Sequence, residues 1–305
     1  MTNRTFLHIG MCKTGTTACE HLFHSQKSEL FQAGLLYPST GLYEFHHLSL
    51  FDALATSREM EQSTREEILS GLRVEISAAG RSALLSSEHF SFATDEEVQL
   101  IAEYFGSDTT VIVVLRQQVY WVSAMYAEIA RWGHRSSFRD FVHDSFYNYD
   151  YNLLLRRWER CFGRKNIEVV SYDRHESDLA AEILRRTGLS QSVIARIGPA
   201  ERLHMTLPAP LVHLQWQLSE GQPNGLALEP SLRSMEDDAV RSAAPLAKAW
   251  RIPEELDGKF RSLDEANDKI ARDYDIPTPL FGRTIADLLA ENRTQGYGAD
   301  AVSSE

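Results

Sequence analysis

Only three cysteines, Cys12, Cys19 and Cys161, occur in 305 residues. So sparse and odd a set excludes a disulfide framework and suits a reducing compartment, so a cytoplasmic location is expected. Basic residues are also short: 31 lysines and arginines stand against 43 acidic residues, a formal charge of −12. That deficit excludes broad binding to nucleic acid or to an anionic lipid surface, both of which need a positive face. It leaves room for one small basic pocket around a phosphorylated ligand. A run of about 18 apolar residues is missing, so no membrane span is expected, and no apolar stretch behind a basic flank reads as a leader.

Proline is nearly missing from the first 190 residues, where Pro38 stands alone; every other proline lies at Pro199 or beyond. The early part therefore reads as uninterrupted strands and helices. The later part reads as short helices broken at Pro208, Pro223, Pro230, Pro245, Pro253 and Pro277. The expected organisation is a core over 1–190, a helical part over 191–295 that covers the cleft within the same domain, and a frayed tail over 296–305. Hydrophobic content of 43% is enough to bury a substantial core.

What is present alternates. Thr5 to Ile9, Ser82 to Ser87, Val111 to Leu115 and Ile167 to Ser171 read as short strands. Val111-Ile-Val-Val-Leu115 is apolar at every position, as in a parallel sheet covered on both faces. Thr94 with Glu97 forms a capping box ahead of Val98, Ile101, Ala102 and Phe105 on one helical face, and Gly106 ends that helix. Ser63 with Glu66 predicts a second helix start, with Gly80 as its stop. Strand–helix alternation implies right-handed crossovers, a parallel sheet, and ligands at the carboxyl ends of its strands.

The most informative segment is His8-Ile-Gly-Met-Cys-Lys-Thr-Gly-Thr-Thr17, which leaves a strand and opens a helix containing Ala18, Leu22 and Phe23. Backbone N–H groups at such a helix start hold anions, and Gly10 and Gly15 let the chain approach a phosphate closely. A nucleoside-triphosphatase loop would read G-x-x-x-x-G-K-[ST]; here Thr16 stands where that lysine should be, and Lys13 is the loop's only lysine. The loop can grip a single 5′-phosphate but lacks the lysine for a γ-phosphate. A kinase of a small metabolite and a non-catalytic nucleotide-binding protein are the competing readings.

Lys13-Thr-Gly-Thr-Thr17 after a short strand resembles the 5′-phosphosulfate-binding loop of the P-loop sulfotransferases, and the longer string from His8 is similar to a bacterial branch of that superfamily. The resemblance implies an α/β, P-loop-NTPase-like three-layer fold with a central parallel sheet and a helical C-terminal cap. It implies a transferase using 3′-phosphoadenosine-5′-phosphosulfate (PAPS) without a metal, and a small-molecule or carbohydrate acceptor with a hydroxyl or amine. Lys13, Thr14, Gly15, Thr16 and Thr17 are then expected to hold the 5′-phosphate, with Lys13 also facing the oxygen that gains charge.

Three further segments carry the resemblance. Arg116, ending the Val111 strand, matches the family's 3′-phosphate arginine; Ser123 follows it by seven residues where the family's serine follows by eight, a rotation of about 100° on a helix. Ile167-Glu-Val-Val-Ser-Tyr172 is similar to a strand ending near the adenine, so the resemblance implies a nucleotide contact at Tyr172, which by residue type alone also reads as a core aromatic. Arg202 and Thr206 match a later family segment in which His204 replaces an asparagine.

For the general base, Glu88 at the end of the Ser82 strand is the first candidate, because other family members carry a histidine or a glutamate at the corresponding strand end. Burial there would raise its proton affinity. His46 and His47, in an aromatic loop with Tyr43 and Phe45, form the second candidate. No metal site is expected from these histidines, since no other ligands recur at metal spacing. Residues Phe146-Tyr-Asn-Tyr-Asp-Tyr151, with Trp121 and Trp132, are candidates for stacking on the acceptor.

Overall fold

The computed structural model describes residues 3–131, 136–145, 149–201 and 250–296. Its first part alternates strand and helix: β1 (Thr5–His8), α1 (Thr16–Ser25), α2 (Lys27–Gln32), β2 (Leu35–Leu36), α3 (Leu48–Leu54), α4 (Gln62–Ala79), β3 (Ser82–Ser86), α5 (Asp95–Phe105) and β4 (Thr110–Leu115). Then come α6 (Gln118–Arg131), α7 (Phe138–Asp144), α8 (Tyr151–Phe162), β5 (Ile167–Ser171), α9 (Tyr172–His175), α10 (Leu179–Arg186) and α11 (Gln191–Ile197). The described C-terminal part holds α12 (Asp257–Asp273) and α13 (Ile285–Gln295). No described helix is long and apolar enough to cross a membrane.

The strands form one parallel sheet in the order β2-β3-β1-β4-β5. Phe6 stands opposite Leu84 on one side and Thr110 on the other, so β1 lies in the middle. The expected α/β class with a central parallel sheet is what the chain forms. All six residues of β4 are buried, as a parallel strand covered on both faces requires. Each such Val or Ile contributes about 1.5–3 kcal/mol by leaving water.

Local signals behave unequally. The capping box at Thr94 is present: its hydroxyl accepts from the Glu97 N–H at 3.2 Å, and the Glu97 carboxylate accepts from the Thr94 N–H at 2.8 Å. The box expected at Ser63 is not formed. α4 begins at Gln62, whose side-chain amide N–H donates to the Glu66 carboxylate at 2.8 Å, and Glu61 sits at the cap without a side-chain bond. β2, only two residues long, has no counterpart in the pattern of the sequence.

The described residues group into two compact units, 3–115 with 152–201, and 116–151 with 250–296. The first contains the whole sheet. The boundary expected at residue 190 differs from this grouping, because residues 116–151 join the C-terminal helices. Gln118 and Asn267 exchange side-chain amide bonds at 2.9 and 3.0 Å. Trp250 packs on Tyr126 and Phe138 with ring centroids 5.2 and 5.4 Å apart. An aromatic core shared between these segments outweighs closeness in sequence. Of the expected tail, residues 297–305 lie outside the described residues.

Candidate functional site

The phosphate-loop candidate begins as a continuation of the sheet. The Ile9 N–H donates to the Ile112 carbonyl at 2.9 Å, and the Met11 N–H to the Val114 carbonyl at 3.4 Å. The Thr14 hydroxyl, fully buried, then donates to the Met11 carbonyl at 2.5 Å and closes the loop on itself. Lys13 and Gly15 both turn left-handed, with φ of 62° and 76°. For a lysine that conformation costs of order 1 kcal/mol and persists only where surrounding contacts impose it. Gly15 caps α1 without any side-chain hydrogen bond, so no capping side chain takes up the helix's leading N–H groups. A glycine turn feeding a helix start in this way has the geometry that suits an anion.

Gly10 and Gly15 are needed for space. A Cβ on Gly10 would stand 2.3 Å from the Thr16 methyl and 2.8 Å from His8 Nε2. On Gly15 it would meet the Tyr172 ring at 3.1 Å, which puts Tyr172 directly beside the loop. Gly10→Ala is therefore expected to cost about 1–3 kcal/mol in a denaturant melt by forcing Thr16 aside, and to weaken binding of a nucleotide phosphate in parallel.

The other wall comes from the end of β3. Ser87 caps the turn that follows, its hydroxyl accepting from the His89 N–H at 3.3 Å. Glu88 projects from this turn, and its Oε2 accepts from the Thr16 hydroxyl at 2.9 Å. The sequence puts loop and carboxylate at two strand ends; the pairing of β1 with β3 makes those ends neighbours, and a hydrogen bond joins them. Thr17 and Lys13 are half-buried on the same loop.

The histidine pair splits. His47 is buried, its Nδ1 accepting from the Ser86 N–H at 3.1 Å and its Nε2–H donating to the Pro38 carbonyl at 3.2 Å. Burial pushes its pKa down to about 4, so it is neutral with both nitrogens committed to backbone. His47 is thus a structural tie between β3 and the chain after β2, with no lone pair left to take a proton. His46 instead stacks on His89, with centroids 6.0 Å apart and planes 20° from parallel. Its Nδ1 has no hydrogen-bond partner. Burial lowers the pKa of both rings; for His46 the neighbouring His89 lowers it further and Glu88 opposes the shift.

In the second unit, Arg116 follows β4 directly, and its carbonyl accepts from the Tyr151 hydroxyl at 2.5 Å. Ser123 does not offer a free hydroxyl. It donates to the Val119 carbonyl and accepts from the Trp250 N–H, both at 3.2 Å, and is buried. Through these two bonds Ser123 ties α6 to Trp250 within its own unit. Tyr149, Tyr151 and Trp121, which residue type alone leaves open between core and stacking surface, are core residues, with exposures of 0%, 1% and 5%. Trp132 and Phe146 to Asn148 lie outside the described residues, as do Arg202, His204 and Thr206.

Three buried residues escaped the sequence reading. Glu20 lies on α1 one turn after Thr16, and its Oε1 is within hydrogen-bond distance of Ser86 Oγ, at 2.9 Å; that hydroxyl also lies 2.7 Å from His8 Nδ1. A usable signal was present: Glu20 falls between Cys19 and Leu22–Phe23 on the buried face of α1, where a solvated carboxylate does not belong. Among the described residues no three His, Cys, Asp or Glu side chains converge as a metal-holding group.

Neither a family model nor a curated protein matches the sequence. Among solved structures, the crystal structure of a sulfotransferase from Alicyclobacillus acidocaldarius is similar, with a TM-score of 0.50 and 13% identity, covering 93% of this chain and 100% of that one. At that identity the likeness is one of fold: the chain has the α/β fold of a sulfotransferase.

Proposed function

We propose that the protein is a PAPS-dependent sulfotransferase acting on a small-molecule or carbohydrate hydroxyl or amine. The observation that carries this reading is the hydrogen bond between Thr16, at the helix-starting end of a lysine-bearing glycine loop, and the Glu88 carboxylate. It brings an anion cradle and a proton acceptor together at neighbouring strand ends. The sulfotransferase fold supports the same reading.

The chemistry needs little beyond placement and charge. The acceptor oxygen or nitrogen attacks sulfur in line with the bridging oxygen of the phosphosulfate. The sulfur–oxygen bond to the 5′-phosphate breaks, and its electron pair stays on that phosphate. Lys13 and the amides at the start of α1 stabilise the charge gathered there. Glu88 takes the proton lost by the acceptor. Of the second candidate pair, His46 alone keeps an uncommitted ring nitrogen. Tyr172, beside Gly15, suits the adenine side of the nucleotide. Arg116 is assigned the 3′-phosphate on the strength of its match to the family's arginine.

The test is transfer of labelled sulfate from PAPS to a panel of sugars and phenols, run with and without chelator. Sulfated product in both conditions supports the reading; failure across the panel together with failure to bind adenosine 3′,5′-bisphosphate removes it.

A further inference from the structure

Beneath the loop lies a string of buried polar groups that the transfer chemistry above does not use. Glu20, Ser86 and His8 come from α1, β3 and β1, with 3%, 0% and 0% of their surfaces exposed. Ser86 Oγ sits between the other two, 2.9 Å from Glu20 Oε1 and 2.7 Å from His8 Nδ1. His8 Nε2 has no hydrogen-bond partner, and it lies against the side of Gly10 where a Cβ would come within 2.8 Å of it.

A hydroxyl held between a carboxyl and an imidazole can orient its hydrogen bonds in two ways. With Glu20 ionised, Ser86 donates to Glu20, His8 Nδ1–H donates to Ser86, and Nε2 turns a lone pair toward the loop. With Glu20 protonated, Glu20 donates to Ser86, Ser86 donates to Nδ1, and Nε2 carries the hydrogen. Only the second presents a donor beneath a loop built for an anion.

The surroundings select between them. Among the described residues, titratable groups facing Glu20 include Cys19 on its own helix, Tyr37 after β2, Glu88 after β3, and, across Ser86, His8 and His47. None of these is a cation: burial lowers His8 to about 3 and His47 to about 4. Burial first, and the Glu88 charge second, push the Glu20 carboxyl up to about 8 against the opposing bond from Ser86.

We propose that Glu20 stores a proton under the phosphate loop and, through Ser86, holds His8 in its Nε2–H tautomer, making Glu20 a positioning residue for anion binding. The proposal rests on the function proposed above only in taking that anion to be the nucleotide phosphate. Its consequence has a definite sign. Deprotonating Glu20 adds a negative charge behind the loop and reverses the string, so nucleotide affinity is retained below about pH 8 and falls above it.

Two measurements on the full chain decide it. Calorimetric titration with adenosine 3′,5′-bisphosphate is expected to show about tenfold weaker binding near pH 9.5 than near pH 7 in the wild type, and no such fall in Glu20→Gln. Infrared spectra of the ligand-free protein are expected to show a protonated-carboxyl C=O band near neutral pH. The band fades as pH rises through about 8 and is absent from Glu20→Gln. Equal falls in affinity in both proteins, a flat profile in the wild type, or no band at neutral pH would overturn the proposal. If the bisphosphate fails to bind at any pH, the assigned function falls, and the infrared band still decides the state of Glu20. Should Glu20→Gln not fold, the band's midpoint in the wild type serves alone.

Discussion

Glu88→Gln is expected to slow sulfuryl transfer by about 10²- to 10⁴-fold while leaving affinity for adenosine 3′,5′-bisphosphate within about threefold of wild type. The amide oxygen can still accept from the Thr16 hydroxyl, so the loop keeps its 2.9 Å tie to the end of β3. What disappears is the ability to take a proton. An acceptor hydroxyl that cannot lose its proton as it attacks sulfur is a poor nucleophile, so the loss falls on kcat rather than on donor binding. Single-turnover assays with labelled PAPS, beside calorimetry on the same preparation, separate the two. Full activity in Glu88→Gln would move the base to His46, whose Nδ1 is buried without a partner.

Lys13→Ala is expected to act on both quantities. Removing the ammonium takes away the charge proposed to meet the departing phosphate oxygen, and a lost donor of this kind lowers the rate by about 10²- to 10³-fold. Bisphosphate binding should also weaken, by about tenfold, since charge-assisted contacts to phosphate are among the stronger hydrogen bonds. Stability should change little, because the left-handed φ of 62° at Lys13 is no easier for alanine than for lysine. Steady-state kinetics and a thermal melt on the same variant check the pair. A variant that melts early and is inactive for that reason would leave no drop per folded molecule.

The strands that lie in the middle of the sheet were legible because burial on both faces leaves a plain mark. Val111 to Leu115 is apolar throughout, and β4 is buried throughout. The glycine loop was legible for a similar reason, since its turns admit few residues other than glycine at Gly10 and Gly15. β2 was not, because two residues carry no periodicity. The fates of His47 and Ser123 were also hidden. His47 is bound by the Pro38 carbonyl and the Ser86 N–H, and Ser123 by Trp250, 127 residues away. Side-chain type suggested a role in each case, and a distant backbone group took the side chain instead.

Glu20 shows the opposite failure. Its place on the apolar face of α1 could be read, but its meaning depends on Ser86 and His8, which only the pairing of β1 with β3 brings to it. The grouping of residues 116–151 with the C-terminal helices has the same origin, in the Gln118–Asn267 pair and the Trp250 cluster.

The central claim is that the turn from Gly10 to Thr16 grasps one nucleotide 5′-phosphate without a metal ion. Calorimetric titration of the wild-type protein with adenosine 3′,5′-bisphosphate in chelator, against ATP with magnesium, tests it most directly. Tighter binding of the bisphosphate, unchanged by chelator, is the predicted result; tighter binding of ATP–magnesium would contradict it.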